Sequence, residues 1–354
     1  MRTLAARTLA AWCICGLLAI TTNLTNAMSD EPAANPSGKV LRAGMIGLDT
    51  SHAPAFAGLL NADSVKPELA GVKIVAAFPG GSPDLPASAD RVEGYTKKLA
   101  ELGVKIVPSI DALLEIVDVV FLESVDGRPH LAQVIPVLKA KKPVFIDKPV
   151  AGSLADAVAI FELAKRYDTP CFSSSSLRFS KGILGMRDDG KVGAVTGCEA
   201  RGPCSLEPHH PDLFWYGIHG VETLFTIMGP GCVNVSRAQT EGTDFVVGTW
   251  GDGRIGTYRG LRAGSHGYGA TVYGEKGIAQ SGGYDGYEPL VAEIVQFFKT
   301  GKAPVSPQET IEIYAFMEAA DESKRQGGMP VSIESVLAKA RAAAAEKVTL
   351  AGAP

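Results

Sequence analysis

Short apolar runs and helix-like segments alternate between residues 40 and 146, and this alternation restricts the fold more than any other feature. The strand-like runs lie at residues 40–46, 72–78, 105–107, 119–122 and 144–146. Strands separated by helices at this spacing predict a doubly wound parallel sheet, hence an α/β fold. Right-handed crossovers place the loops that follow these strands along one edge of the sheet, where ligands bind in such folds.

The pattern changes after Gly190. The β-rich runs at residues 192–200, 233–239, 245–249, 254–259 and 270–273 are interrupted by one helical segment, near residues 219–228. Strands without intervening helices predict a mostly antiparallel sheet. Helices are predicted at residues 290–300, 307–326 and 335–345. We therefore predict a parallel-sheet domain over residues 40–150 and an α+β domain with an open antiparallel sheet over residues 151–354.

The amino terminus has the layout of a secretory signal peptide. Arg2 and Arg7 precede an apolar run over residues 9–20, and a polar stretch ends at Ala27. We predict a Sec-type signal peptide at residues 1–27 and a linker at residues 28–39. The mature protein is then expected to be exported, periplasmic or extracellular, and free of the membrane after cleavage.

Charge and cysteine content narrow the classes of partner. The net charge is −4 and no basic stripe occurs, so we expect no nucleic-acid partner. The cysteines that remain after cleavage are Cys171, Cys198, Cys204 and Cys232. In an oxidising compartment they could form one or two disulfides, and their spacing does not give the pairing.

The run Phe-Ile-Asp-Lys-Pro at residues 145–149 is the strongest local motif. A strand that ends at Asp147 and Lys148 leaves an acid and a lysine at the carboxyl edge of the sheet. Pro149 allows a cis peptide bond at this point. A partly desolvated lysine can donate or accept a proton, because burial lowers the pKa of an ammonium group. The alternative is a lysine that pairs with Asp147 and has no other role.

Together these features resemble the Gfo/Idh/MocA family of sugar and polyol dehydrogenases, over about residues 40–333. Residues 145–149 resemble the family's Glu-Lys-Pro segment, and Leu177-Arg178-Phe179 resembles its Arg-Phe or Arg-Tyr pair. Gly217-Ile218-His219, which opens a helix, resembles its G-x-H helix, and residues 309–331 resemble its closing helix and strand.

The resemblance implies a Rossmann-like nucleotide-binding domain followed by a substrate and oligomerisation domain. It implies NAD(P)-dependent oxidoreduction of a sugar, a polyol or a derivative, and a possible homo-oligomer. By position, Lys148 and His219 would be the catalytic residues. Candidate cofactor-binding residues are Gly47, Asp49, His52, Ser124, His130, Asp147 and Lys148. Candidate substrate residues are Arg178, Trp215, Tyr216 and Glu222.

The dinucleotide fingerprint departs from the family pattern G-x-G-x-x-G. Gly47 keeps the first glycine, whereas Asp49 and His52 replace the second and third. A carboxylate about 4 Å from a diphosphate charge costs about 4 kcal/mol at an effective dielectric of about 20. NAD or NADP is therefore expected only if other contacts hold it. Two alternatives stay open: a redox-neutral sugar lyase or hydrolase that uses the same cleft, with Asp49 and His52 as acid and base, and a catalytically silent carbohydrate-binding protein.

A polar loop before His219 carries metal-ligand residue types at Glu207, His209, His210 and Asp212. Histidine and carboxylate side chains bind divalent metals. Adjacent histidines rarely point the same way, however, so we predict no metal at this loop.

Overall fold

A computed structural model describes residues 39–352, and a six-stranded parallel sheet fills their first half. Its strands are β1 (Leu41–Ile46), β2 (Val72–Phe78), β3 (Lys105–Ile106), β4 (Val119–Leu122), β5 (Val144–Ile146) and β6 (Cys171–Ser173). They lie in the order β3-β2-β1-β4-β5-β6. The chain reverses direction across the sheet between β1 and β4, which is where doubly wound sheets bind ligands. The predicted parallel sheet is confirmed.

Helices and short 3₁₀ turns connect these strands. The helices are α1 (His52–Leu60), α2 (Pro86–Ala89), α3 (Val92–Glu101), α4 (Ile110–Leu114), α5 (His130–Lys139) and α6 (Leu154–Arg166), and the 3₁₀ helices are Pro67–Leu69 and Ser176–Phe179. Ser153 caps α6, because its hydroxyl accepts the amide of Asp156 at 3.1 Å.

A second sheet of seven strands follows. Its strands are β7 (Val195–Pro203), β8 (Cys232–Thr240), β9 (Thr243–Trp250), β10 (Ile255–Leu261), β11 (Gly269–Gly274), β12 (Ile278–Gln280) and β13 (Val331–Ser332), in the order β12-β11-β7-β10-β9-β8-β13. Neighbouring strands are antiparallel except for β7 and β10, which pair in parallel. The sheet is therefore mostly antiparallel, as predicted, with one parallel pair that the sequence did not indicate.

The remaining helices are α7 (Lys181–Leu184), α8 (Asp212–Trp215), α9 (Gly217–Met228), α10 (Glu288–Thr300), α11 (Pro307–Arg325) and α12 (Ile333–Leu350). Helix α9 is buried along its whole length and packs on β7 and β10 of the second sheet. This packing fixes the position of His219 in the first turn of α9.

Helix α10 packs on the first sheet although it lies late in the chain. The rings of Phe297 and Phe172 are 4.9 Å apart, and those of Phe298 and Phe121 are 5.1 Å apart. One hydrophobic core thus combines strands from the first half of the chain with a helix near its end. The parallel sheet also continues beyond the predicted domain boundary at residue 150, because β6 forms its edge.

Substitution of Gly220 by alanine is expected to destabilise the protein by about 1–3 kcal/mol, the usual cost of overpacking a core. A Cβ atom at Gly220 would lie 2.2 Å from Cε2 of Tyr258, which is fully buried on β10. The matched control is Gly58→Ala on α1, where a Cβ would meet nothing within 4 Å. Urea denaturation should show a lower free energy of unfolding for Gly220→Ala and no loss for Gly58→Ala. Equal stability of the two variants would contradict this packing.

Some predictions fall outside the described residues. The signal peptide at residues 1–27 and nearly all of the linker lie there, so export stays a prediction. Cys171, Cys198, Cys204 and Cys232 are buried and free, and no disulfide joins residues 39–352. Within the same range, no helix combines the length and apolar character needed to cross a bilayer.

Candidate active site

A cavity of about 370 Å³ opens at the carboxyl edge of the first sheet. The first half of the chain lines it with Thr50, Ser51, His52, Arg91, Val125 and Lys148. The second half lines it with Trp215, Tyr216, His219, Tyr268, Tyr284 and Tyr287. The size is within the range of small-molecule sites. The two predicted catalytic residues, Lys148 and His219, therefore share one cavity.

Lys148 follows β5 and lines the cavity. The peptide bond between Lys148 and Pro149 is cis. Its ammonium group lies 5.9 Å from the centroid of the Tyr216 ring. Among the described residues it forms no ion pair with Asp147. The alternative role, a lysine neutralised by the preceding aspartate, is therefore not what the structure shows.

His219 is held by a contact behind the cavity wall. Its Nδ1 atom lies 2.7 Å from Oγ of Ser175, and its ring packs against those of Tyr216 and Tyr268. Burial, together with the positive charges of Lys148 and His52, lowers the pKa of His219 well below 6.5. The imidazole is therefore neutral at pH 7 and can accept a proton.

His52, Glu123 and Asp147 meet at the edge of the cavity. His52 Nδ1 lies 2.9 Å from Asp147 Oδ2 and 3.7 Å from Glu123 Oε2. Burial opposes the charged imidazole, but the two carboxyl groups outweigh it and raise the pKa of His52 to about 9. Burial and then the charge of Asp147 raise the pKa of Glu123 to about 7. Only His52 of the three lines the cavity.

Asp49 occupies the place of the second fingerprint glycine, and its side chain turns into the protein. The carboxylate accepts the amide of Val125 at 2.9 Å and the hydroxyl of Ser88 at 2.6 Å. It is fully buried and does not line the cavity. Protein donors therefore already satisfy this carboxylate, and its side chain is not presented to the cavity.

Three other predicted cofactor-binding residues shape the edge of the sheet without lining the cavity. A Cβ at Gly47 would lie 2.4 Å from the backbone nitrogen of Ser124, and its φ of 87° favours glycine. The Ser124 hydroxyl donates to Gln133 at 2.9 Å. The buried ring of His130 lies between the carbonyls of Ser124 and Val150, at 2.9 and 3.2 Å. Asp147 likewise lies behind the wall. These residues therefore lie behind the side chains that line the cavity, and their contact with a cofactor stays a prediction.

The predicted substrate residues divide into two groups. Trp215 and Tyr216 line the cavity, as predicted. Arg178 and Glu222 do not line it: Glu222 accepts from the amide of Ser175 and from Nε of Arg178, at 2.8 and 2.7 Å. Both side chains are buried and paired with each other, so their role as substrate contacts stays a prediction that this cavity lining does not support.

The polar loop before His219 does not form one cluster. His210 lies 3.1 Å from Asp126, and His209 lies 2.7 Å from Glu207. Asp212 pairs with Arg237 and Lys324 elsewhere. Because each group has its own partner, the structure gives this loop no shared metal site.

Sequence reasoning missed three tyrosines that line the cavity from loops near β11, β12 and α10. Tyr268 directly precedes β11, Tyr284 follows β12, and Tyr287 directly precedes α10. The glycine-tyrosine pattern Gly-Gly-Tyr-Asp-Gly-Tyr at residues 282–287 was the available indication. Loops rich in glycine and aromatic residues are compatible with a binding wall, but nothing in the spacing links them to the first sheet.

Residues 41–174 match a protein family described as "Oxidoreductase family, NAD-binding Rossmann fold", the Gfo/Idh/MocA oxidoreductases. No curated protein matches the chain.

Solved structures share the fold over most of the chain. A "probable dehydrogenase" from Thermotoga maritima is 22% identical, with a TM-score of 0.68, over 84% of this chain and 100% of its own. Scyllo-inositol dehydrogenase from Lactobacillus casei, solved with NAD(H) and scyllo-inositol, is 15% identical, with a TM-score of 0.69, over 84% and 100%. Myo-inositol dehydrogenase from the same organism, solved with NAD(H) and myo-inositol, is 18% identical, with a TM-score of 0.67, over 83% and 96%. At these identities the similarity concerns the fold.

Proposed function

We propose, from the match of residues 41–174 to the Gfo/Idh/MocA oxidoreductase family, that the protein is an NAD(P)-dependent oxidoreductase acting on a CH–OH group of a sugar, a polyol or a derivative. The observation that carries the proposal is the convergence of Lys148 and His219 on one cavity at the carboxyl edge of a parallel sheet. Inositol dehydrogenases with this fold have been solved with NAD(H) and a cyclic polyol bound, which supports the substrate class.

The residues at the edge of the sheet fit a dinucleotide in an altered way. Asp49 is turned away and bonded, so the cavity does not present its carboxylate to a diphosphate. Thr50 and Ser51, at the turn between β1 and α1, and Arg91, which directly precedes α3, line the cavity and offer hydroxyl and guanidinium donors. Arginine and hydroxyl groups bind phosphate oxygens well. These donors would hold the diphosphate in place of the backbone contacts that the two missing glycines normally allow.

The chain's own residues would manage the proton of the reacting hydroxyl. A bound nicotinamide would supply the hydride acceptor. His219 is neutral and would accept the hydroxyl proton, since a general base must be unprotonated to act. The ammonium of Lys148 would stabilise the negative charge that develops on the oxygen. Tyr216 and Tyr268 pack against the His219 ring and restrict its orientation.

The cavity walls suit a carbohydrate or a cyclic polyol. Trp215, Tyr216 and Tyr268 present aromatic surfaces, and Ser176 and Ser205 add hydroxyl groups. Burial raises the pKa of Tyr284 to about 12, so its hydroxyl stays protonated and can donate. Apolar faces with a few fixed polar groups are the usual composition of small-molecule sites.

The test is nucleotide binding by the purified mature protein. We expect NAD or NADP to raise the melting temperature, and nicotinamide to be reduced when inositols or sugars are added. Adenosine monophosphate at the same concentration is the control for binding at the phosphate site alone. The oxidoreductase proposal fails if NAD and NADP both leave the melting temperature unchanged and neither is reduced in the presence of any polyol or sugar.

A redox-neutral sugar lyase or hydrolase is the second candidate, because His52 stands at the third fingerprint position and lines the cavity. Asp49 is buried and bonded to Ser88 and Val125, so it does not support the acid–base pair of this alternative. Turnover of a glycoside in the absence of any nucleotide, lost in Lys148→Met and His219→Asn, would favour this candidate over the first. Saturable sugar binding without turnover would instead favour the binding protein.

The activity is expected to persist to lower pH than an ordinary histidine base allows. Burial and the charges of Lys148 and His52 hold the pKa of His219 below 6.5, while Asp147 opposes this shift and Tyr216 and Tyr268 pack on the ring. The base form therefore persists as the pH falls through 6.5. A profile of kcat/KM between about pH 5 and 9 should place the acid limb below pH 6.5. An acid limb above 6.5 would contradict this assignment.

A further inference from the structure

Three side chains with metal-ligating atoms converge beside the cavity on three neighbouring elements. His52 opens α1 after the β1 turn, Glu123 follows β4, and Asp147 follows β5. Because β1, β4 and β5 are adjacent in the sheet, their carboxyl ends bring the three side chains together. One ligand atom from each lies within 4.8 Å of the other two.

The cluster lacks hydrogen-bond partners. Glu123 and Asp147 are fully buried, and all four of their carboxyl oxygens are without a donor among residues 39–352. His52 Nδ1 lies 2.9 Å from Asp147 Oδ2, at ion-pair distance, but it has no hydrogen-bond partner of good geometry. Buried carboxylates are normally hydrogen-bonded, paired with a cation or bound to a metal. A single imidazolium balances only one of the two buried carboxylates, so the cluster is suited to a ligand that carries more positive charge.

We propose that His52, Glu123 and Asp147 bind a divalent transition-metal cation of the Zn²⁺ or Mn²⁺ class. One imidazole nitrogen and two carboxylates are ligands that such cations accept, and the imidazole disfavours Mg²⁺ and Ca²⁺. Metal binding would displace the proton of His52 and any proton on Glu123 to solvent, and a divalent cation would then balance the two carboxylates. Metal–ligand bonds of about 2.0–2.2 Å set neighbouring ligand atoms roughly 3.0–3.6 Å apart, close to the observed 2.9 and 3.7 Å.

The direction of the open coordination position follows from burial. His52 lines the cavity, whereas Glu123 and Asp147 lie behind it. Three protein ligands leave at least one position free, and here that position faces the cavity. Water or an oxygen of a cavity ligand would complete the coordination. The site would thus lie next to Lys148, whose ammonium is placed over the Tyr216 ring.

Metal binding can be measured without nucleotide or sugar, so its result is independent of the proposed oxidoreductase activity. The mature protein is treated with a chelator, dialysed and titrated calorimetrically with ZnCl₂ and with MnCl₂. We expect saturable binding of one equivalent per chain and a higher melting temperature with the metal. Elemental analysis of untreated protein gives the metal retained from expression.

Glu123→Gln and His52→Gln are expected to weaken binding by at least about 100-fold, beyond the 10–100-fold typical of losing an outer-shell partner. The matched control is Glu207→Gln, which alters the partly exposed carboxylate–histidine pair with His209. His52→Gln, at the cavity wall, provides the test if Glu123→Gln does not fold. The proposal is overturned if wild-type protein shows no saturable binding. It is equally overturned if binding survives in both variants or is lost in the control.

Discussion

Replacement of His219 by asparagine is expected to lower kcat by about 10²–10⁴-fold, the usual contribution of a general base. Asparagine can keep the contact with Ser175 that His219 makes through Nδ1 at 2.7 Å, but it offers no titratable nitrogen to the cavity. KM should change little, because the substrate loses a proton acceptor rather than a binding surface. The measurement is steady-state kinetics on the substrate found in the nucleotide and polyol screen.

The control is His209→Asn, which removes a partly exposed histidine that pairs with Glu207 and does not line the cavity. Its kcat and KM should equal those of the wild type. A His219→Asn enzyme with wild-type kcat, or one in which only KM rises, would remove His219 from the chemistry and leave it as a wall residue.

Replacement of Arg178 by methionine is expected to destabilise the protein by about 3–5 kcal/mol, the cost of leaving a buried charge without its partner. Arg178 is almost fully buried and donates to Glu222 at 2.7 Å and to Glu309 at 2.8 Å. Methionine fills similar space but leaves both carboxylates unpaired. The measurement is the free energy of unfolding from urea denaturation, under conditions where the wild type unfolds reversibly.

The control for Arg178 is Arg42→Met, because Arg42 pairs with Asp118 on the exposed side of the first sheet. Exposed pairs contribute little to stability, so its denaturation midpoint should stay close to the wild-type midpoint. If Arg178→Met has wild-type stability and instead raises KM, then Arg178 contacts substrate and the original sequence prediction is restored.

The sequence predicted the parallel sheet well because its strands are short, apolar and separated by helices. The structure places β2, β4 and β5 at the predicted residues. The edge strand β12 was missed, whereas the family resemblance indicated a closing strand where β13 lies, at Val331. The parallel pairing of β7 with β10 also could not be predicted from the sequence, because pairing between strands that are distant in the chain depends on the tertiary fold.

The candidate site was predicted in part. Lys148 and His219 were found because each stands in a recognisable local motif. Arg178 and Glu222 were misplaced because a polar residue after a strand, or on a helix, does not reveal which way its side chain points. The cluster of His52, Glu123 and Asp147 was not predicted, because it forms only when β1, β4 and β5 are neighbours in the sheet.

The docking of α10 onto the first sheet has a consequence for how the molecule is made. When residues 41–174 have been synthesised, the whole family-matching segment is present. The aromatic face formed by Phe121 and Phe172 is still uncovered, because Phe297 and Phe298 come later in the chain. Over a hundred further residues must emerge before that face is covered. A fragment that stops at residue 174 would leave this apolar face of the sheet exposed to solvent and prone to aggregation. The nascent full-length chain would carry the same exposed face until α10 has been synthesised.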